Sequence, residues 1–342
     1  MGISVWALTG GRRGDDAQVV ALAEAVGDMA VKPLTFRAAY GIPNLLLGAT
    51  LSTLDPAARN AFRAPWPDVA IGVGRRSVPV ARWIREKSGG RTKLVAIGRP
   101  RAPLHWFDLV LTPPQYGLPD APNVVKLLLP PIRNRAPSES VVEAFRERVK
   151  GLPRPWIGLL VGGSRAPYRL DQRSAAELGR QAVRAAQAAG GTLLVSTSPR
   201  TGEVAAEALR AALSGPFEMQ PWSSRGTPEH QAVLALADRF IVTGESVSMI
   251  AEACLTGKPV EVHPLPRMPL PRWNAAQGAG GWLAANGVLT PPRDPEKAIA
   301  ILAANGHVAP LNQTASRSFM AVPDELSRAA DAVRRLVDAA AG

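Results

Sequence analysis

The residues best placed to do chemistry run from Ala237 to Ala253, Ala-Asp-Arg-Phe-Ile-Val-Thr-Gly-Glu-Ser-Val-Ser-Met-Ile-Ala-Glu-Ala. An apolar run stops at Val242. A turn of Thr243, Gly244, Glu245 and Ser246 follows, and the pattern predicts a helix over 246–255. The first N–H groups of a helix have no internal partner and its dipole is positive at that end, so an anion is favoured there. Ser246 and Ser248 can add hydroxyl donors, with Met249 in the same turn. Glu252 lies one helical turn after Ser248, where a carboxylate can accept from sugar hydroxyls. The plainer alternative is a helix capped by Ser246 or Thr243, with Glu252 solvated and nothing bound.

Four other turns have a similar form. Gly162, Gly163, Ser164 and Arg165 follow the apolar run 156–161; glycines allow close backbone approach and an arginine can pair with a phosphate. Ser196 to Thr201, including Thr197 and Ser198, follows 192–195. Near the start, Gly10, Gly11, Arg12 and Gly14 lead to Asp15 and Asp16, which can act as a general base or simply cap the next helix. Gly74, Arg75 and Arg76 form a further strand-end turn, whose arginines suit phosphates or acidic groups. Parallel sheets bind ligands at the carboxyl ends of their strands, so turns of this kind belong together only if strands and helices alternate.

They do alternate. Brief β-prone runs at 3–8, 69–73, 94–97 and 109–111 are separated by helical spacing around Val19, Val20, Ala23 and Val26 and over 79–87. The proline-rich stretch 130–155 interrupts the series. A second series then runs through 156–161, a helix at 175–189, 192–196, a helix at 203–213, 240–242, and 260–262. The last segment, 323–341, has one apolar helix face from Leu326, Ala330, Val333, Leu336 and Val337. This predicts an α/β protein with two Rossmann-like domains: residues 1–135, a linker at 136–154, and a second domain at 155–322, followed by a C-terminal helix at 323–342. The length of 342 residues fits two cores better than one.

Composition and missing motifs exclude several classes. With 46% hydrophobic and 20% charged residues the chain is globular rather than disordered. Its apolar runs are far shorter than the ~20 residues that span a bilayer. The start lacks a secretory pattern, and Trp6 stands where a myristoylation signal needs a hydroxyl. One cysteine, Cys254, excludes an internal disulfide, and the cytoplasm is the expected compartment. The net charge of +12 favours phosphate-bearing partners, although a general preference for Arg, Ala, Gly and Pro accounts for it equally well. Few aromatics and no basic stripe argue against nucleic acid. Neither glycine turn of the first half matches G-x-G-x-x-G, and the expected end of the second strand carries Phe36 and Arg37 rather than an acid for an NAD ribose. There is no Walker A sequence, no Tyr with Lys four residues on, no zinc spacing among His105, His230, His263 and His307, and no Asp-x-Asp pair. No metal and no cofactor is expected.

With these residues in view, the chain resembles the mitochondrial-fission (elongated-mitochondria) family, whose bacterial members are often labelled nucleoside-diphosphate-sugar epimerases. The resemblance is carried by Gly14-Asp15-Asp16-Ala17-Gln18, by Pro67-Asp68 leading to Gly74-Arg75-Arg76-Ser77, by Val161-Gly162-Gly163-Ser164, and by 242–259, and so spans nearly the whole chain. The family looks like a GT-B glycosyltransferase, similar to the enzymes that add N-acetylglucosamine to lipid-linked peptidoglycan precursors. That implies two domains facing a cleft, a C-terminal helix crossing back to the first, a nucleotide sugar on the second domain and no metal. It further implies that Ser246–Ser248 touches the diphosphate, that Glu252 holds the ribose, and that Gly162, Gly163 and Ser164 sit at the cleft. Related chains often carry His where this one has Asp15; a carboxylate can perform the same proton transfer.

The expected function is therefore metal-independent transfer of a sugar from a nucleotide-diphosphate donor to an acceptor, lipid-linked in one version, with Asp15 as base and Asp16 as its substitute. The competing reading is a non-catalytic, membrane-associated adaptor that keeps the fold. The apolar stretch 40–54 is flanked by basic residues and can rest on an anionic membrane at the inner face, bind a lipid acceptor, or be a buried helix. The sequence does not name the oligomeric state.

Overall fold

A computed structural model describes residues 2–37, 42–133, 137–222, 228–268, 278–290, 292–311 and 319–341. The first sheet takes its strands from β1 (Ser4–Thr9), β2 (Asp28–Pro33), β3 (Val69–Val73), β4 (Lys93–Ile97), β5 (Leu109–Thr112) and β6 (Val124–Lys126). Between them lie α1 (Arg13–Val26), the short α2 (Asn44–Leu47) and α3 (Pro56–Arg59), and α4 (Val78–Lys87). The second series runs α5 (Glu139–Val149), β7 (Trp156–Val161), α6 (Gln172–Ala188), β8 (Thr192–Thr197), α7 (Glu203–Ala212), β9 (Phe217–Gln220), α8 (Pro228–Leu236), β10 (Arg239–Thr243), α9 (Val247–Cys254) and β11 (Val260–His263). The chain ends with α10 (Gly278–Ala285), α11 (Pro295–Ala304), β12 (Ala309–Pro310) and α12 (Glu325–Ala341).

All pairings between these strands are parallel. The first sheet has the order β2-β1-β3-β4-β5-β6 and the second β9-β8-β7-β10-β11-β12. Each sheet thus reverses its strand order once, between β1 and β3 in the first and between β7 and β10 in the second. A parallel sheet covered on both faces needs continuous apolar strands, and β7 and β8 are buried at every residue. In the first unit α1 and α12 cover one face, over Val5, Ala7, Ile71 and Val95. Trp6, Leu8, Leu54, Phe62 and Ile84 fill the other face. In the second unit α6 and α7 pack over β7, β8 and β9. Helix α6 starts three residues earlier than its apolar pattern, because Asp171 and Ser174 form a reciprocal cap: the Ser174 N–H donates to the Asp171 carboxylate at 2.9 Å and the Asp171 N–H donates to Ser174 Oγ at 2.8 Å.

The units divide differently from the sequence expectation. Unit 1 comprises residues 1–133, 272–294 and 324–342, and unit 2 comprises 134–271 and 295–323. The expected linker at 136–154 is instead largely helix α5, which buries Phe145 and Val149 and packs on α8 inside unit 2. The stretch 278–294, expected in the second domain, returns to unit 1. There Ala285 packs into the core beside α4, and a Cβ on Gly287 would lie 2.5 Å from the carbonyl carbon of Ala102. The Asp294 N–H donates to Gln115 O at 2.8 Å. These contacts join residues more than 170 positions apart, a separation that no local pattern reveals. The second strand ends at Pro33 rather than near Phe36, which pairs in an isolated antiparallel bridge with Leu54. Within the apolar stretch 40–54, Tyr40 and Gly41 lie outside the described residues. The rest holds the single turn α2, with Asn44, Thr53 and Leu54 buried, and not a buried helix.

Helix α12 belongs to unit 1 and buries Ala329, Ala330 and Val333 against α1. Leu22 of α1 is completely buried in this layer, whereas Leu46 of α2 is 78% exposed. Leu22→Ala should therefore cost about 2–5 kcal/mol in urea unfolding. Leu46→Ala should stay within about 0.5 kcal/mol of the parent. Equal effects of the two changes would contradict this packing.

Candidate functional site

In unit 2 the strand-order switch lies between β7 and β10, and the turns after both strands converge there with the turn after β8. The carboxyl ends of parallel strands at such a switch form the natural crevice for a ligand, since the flanking loops part to opposite sides. The three turns are tied together. The Gly162 N–H donates to Thr243 Oγ1 at 2.9 Å and the Gly163 N–H to Glu245 Oε1 at 2.7 Å. Thr201 Oγ1 donates to Gly162 O at 2.8 Å, and the Ser198 hydroxyl donates to the same carbonyl. Two glycines are required by this closeness: a Cβ on Gly162 would lie 1.8 Å from Glu245 Oε1, and one on Gly163 would lie 2.1 Å from Arg200 O.

Glu245 does not face outward as a ligand group. It is 2% exposed and points into this knot. Arg200 Nη2 lies 3.7 Å from its Oε1, and Oε2 is buried without a hydrogen-bond partner. Burial pushes the Glu245 carboxyl above its ordinary value, against the opposing pull of the Gly163 N–H and of Arg200. Gly162, Gly163, Thr243 and Ser198 likewise spend their polar groups or their lack of a Cβ on joining the turns. Ser164 braces its own loop, accepting from Leu170 N at 2.9 Å. Thr197 Oγ1 accepts from Trp222 N at 2.7 Å. Arg165 is exposed and closes a tight turn through two backbone hydrogen bonds with Tyr168. Gly244 borders an apolar cavity of about 320 Å³ whose lining includes Tyr168, Val262, Leu265, Ile299 and Ala300.

At the start of α9, Ser246 and Val247 are buried, and exposure begins at Ser248 and Met249. Its first intrahelical-type bond runs from Ile250 N to Ser246 O at 3.0 Å, so the N–H groups of Val247, Ser248 and Met249 precede any carbonyl within the helix. Arg200 Nη2 donates to Ser246 Oγ at 3.2 Å and adds a cation beside this terminus. Ser248, Met249 and Glu252 are half-buried on the same helix. Glu252 Oε2 lies 2.9 Å from His230 Nε2, and His230 Nδ1 lies 3.1 Å from Ser196 Oγ. A neutral ring protonated on Nε2 satisfies both contacts, donating to Glu252 and accepting from Ser196. Sequence reading missed His230 and Arg200. Each is remote in the chain from the group it serves, and a lone histidine without metal-ligand spacing carries no signal.

The remaining candidates gather in unit 1, at its own strand-order switch between β1 and β3. Gly11 has φ +79° and Gly74 φ +67°, the left-handed region that favours glycine. Arg12 precedes α1, and Gly14, Asp15 and Asp16 form its first turn. Asp16 Oδ1 accepts from the Gly10 N–H at 2.7 Å, whereas Asp15 is half-buried and its N–H donates to Arg12 O at 2.9 Å. Arg75 and Arg76 follow β3, and the Arg76 guanidinium stands 5.2 Å from the Phe36 ring centre. Among the described residues no group of three or more His, Cys, Asp or Glu is arranged to hold a metal ion, and no helix is long and apolar enough to cross a membrane. Cys254 is buried, and that burial pushes its thiol up to about 12, too high for a nucleophile at neutral pH.

The sequence model of the mitochondrial fission ELM1 family matches residues 13–336. The chain belongs to that family. A curated relative, the mitochondrial fission protein ELM1 of Arabidopsis thaliana, is 25% identical over 242 residues, covering 64% of this chain and 56% of the relative, so the match spans little more than half the length of that protein. Among solved structures, UDP-GlcNAc 2-epimerase from Methanocaldococcus jannaschii superposes with a TM-score of 0.51 at 13% identity, covering 99% of this chain and 100% of the other. Spinosyn forosaminyltransferase SpnP does so with 0.52 at 13% identity, covering 99% and 96%. The ELM1-family chain thus has a GT-B-type fold, shared by a sugar transferase and an epimerase. The missing Tyr-x-x-x-Lys pair therefore excludes only the short-chain dehydrogenase kind of epimerase, since the epimerase named here uses the same fold as this chain.

The raised Glu245 carboxyl has a consequence for stability. A folded value above the unfolded one means that the native state holds the proton more tightly. The contribution is fully present below the ordinary carboxylate range and is lost as pH rises through the raised value. Glu245→Gln, which keeps an acceptor for the Gly163 N–H, should flatten this part of the pH–stability profile in urea unfolding from acid to neutral pH. An unchanged slope would remove Glu245 as its source.

Proposed function

We propose that the switch-point turn of unit 2 binds a nucleoside-diphosphate sugar and that the protein is a metal-independent glycosyltransferase. The observation that carries this reading is the pairing of an anion-favouring α9 terminus, reinforced by Arg200 on Ser246, with a carboxylate at Glu252 oriented by His230. Glu252 lies six positions after Ser246, about 9 Å along the helix at ~1.5 Å per residue, a span suited to a diphosphate at one end and ribose hydroxyls at the other. Ser248 and Met249 lie between them. In keeping with this, the fold is shared by an epimerase named for UDP-GlcNAc and by a forosaminyltransferase.

In the proposed reaction Asp15 takes the proton of an acceptor hydroxyl. The acceptor oxygen attacks the anomeric carbon, and the bond from that carbon to the diphosphate oxygen breaks. The departing nucleoside diphosphate gains charge, which the α9 N–H groups and Arg200 stabilise without a metal. The acceptor is left open between a soluble and a lipid-linked molecule.

Titration calorimetry with UDP, GDP and CMP sugars tests the donor half. One of them should bind, and Glu252→Ala should weaken it by roughly 10- to 100-fold, the loss of a hydrogen bond to a charged group. Silence with every nucleotide sugar would sink the reading and leave the non-catalytic adaptor. Asp15→Asn should spare donor binding while abolishing nucleoside-diphosphate release; full turnover in that variant would exclude Asp15 as base. Conversion of the donor to an epimer, with no transfer, would assign the epimerase reaction instead.

A further inference from the structure

Arginines converge on the strand-order switch of unit 1. The turn after β1 supplies Arg12, the turn after β3 supplies Arg75 and Arg76, and the loop after β4 supplies Arg99 and Arg101. Arg293 reaches the same end of the sheet, donating to Gln115 Oε1 at 2.8 Å. Aromatic faces hold several of them in place: Arg76 by Phe36 at 5.2 Å, and Arg99 and Arg293 by Tyr116 at 5.8 and 4.9 Å. Arg101 has φ +54°, a left-handed conformation that is costly for a residue with a Cβ.

The guanidinium groups are close enough to repel one another. Burial and then Arg12 lower Arg76; burial, Arg75 and Arg12 lower Arg101. Burial, together with Arg101 and Arg293, lowers Arg99 to about 10, against the pull of Tyr116. At about 10, Arg99 stays cationic at neutral pH. A surface with this concentration of cations favours an anionic partner.

An apolar edge is fastened to the same loops. Asn44 opens α2, is buried, and donates through Nδ2 to Arg75 O at 3.0 Å, Arg101 O at 3.3 Å and Pro100 O at 3.4 Å. This anchors Ile42, Leu45 and Leu46 next to the arginine loops, and all three are exposed, Leu46 by 78%. Aliphatic side chains that stand in water beside clustered cations match the two layers of a membrane interface, acyl boundary and phosphate headgroups.

We propose that this end of unit 1 docks on an anionic lipid bilayer, with the arginines on lipid phosphates and Ile42, Leu45 and Leu46 in the acyl boundary. Charge complementarity decides for an anionic surface, and the aliphatic edge decides for lipid, since a soluble phosphate or a nucleic acid would leave it in water. This docking is independent of whether unit 2 binds a nucleotide sugar.

Co-sedimentation of the full chain with vesicles tests it. Binding should be strong to phosphatidylcholine mixed with phosphatidylglycerol, weak to phosphatidylcholine alone, and should fall as salt rises. Each arginine removed should lower partitioning about 5-fold, so R75Q/R101Q should lose roughly 25-fold. Leu46→Glu should also reduce partitioning, with an unchanged melting temperature because Leu46 makes no core contact. Equal binding to both vesicle types, or no loss in either variant, would overturn the proposal. So would complete displacement by inorganic pyrophosphate at concentrations near that of the protein, which would mark a soluble-anion site.

Discussion

The buried carboxylate of Glu245 holds the second unit's functional end together. Its Oε1 accepts from the Gly163 N–H and faces Arg200, and so it links the turns after β7, β8 and β10 where the sheet reverses its strand order. A charge so deeply placed costs several kcal/mol to desolvate, on the order estimated for buried ions, and its partners only partly offset that. What the arrangement secures is position. With Gly162 and Gly163 stripped of side chains to admit it, the three turns close into one unit, and the start of α9 is presented at a defined place with Arg200 alongside. Groups that seem suited to touching a ligand, Thr243, Ser198 and Glu245 itself, are instead the scaffold of the site.

The two units repeat one plan with different electrostatics. Each is a parallel sheet with a single reversal of strand order and loops converging at that point. In unit 2 the convergence is buried and closed by hydrogen bonds, and the Glu252–His230–Ser196 chain runs from the half-exposed Glu252 to the buried Ser196. In unit 1 it is open and strongly cationic, with an apolar edge pinned to it by Asn44. Arginines that are scattered along the sequence thus meet at one sheet end. The chain of this mitochondrial-fission family thus carries a GT-B-type fold with one tightly closed switch-point turn and one cationic, partly apolar face.

The return of the last helix to the first unit was implied by the family resemblance, whereas the alternation of strands and helices, the two-unit plan and a last helix with one apolar face were legible in the chain. Each depends on local periodicity: continuous apolar runs such as 156–161 can only be doubly covered strands, and the apolar face of 325–341 needs a partner. The strand-to-helix turn at Thr243–Ser248 was legible for the same reason, as an apolar run, a glycine and the onset of helical spacing. The short edge strands β6, β9 and β12 were not, because only pairing with a neighbour defines them.

Tertiary structure alone decided which side chains of those turns face out and which face in. Nothing in the residue types separates Glu245 from Glu252, yet one is sealed beneath the glycines and the other meets His230 at the surface. Likewise, only folding assigned 278–294 to the first unit and gathered six arginines at one sheet end. The physical reason is common to all of these. Secondary structure follows from spacing along the chain, whereas burial, charge crowding and hydrogen-bond partnership depend on residues that are distant in sequence and meet only when the sheets are assembled.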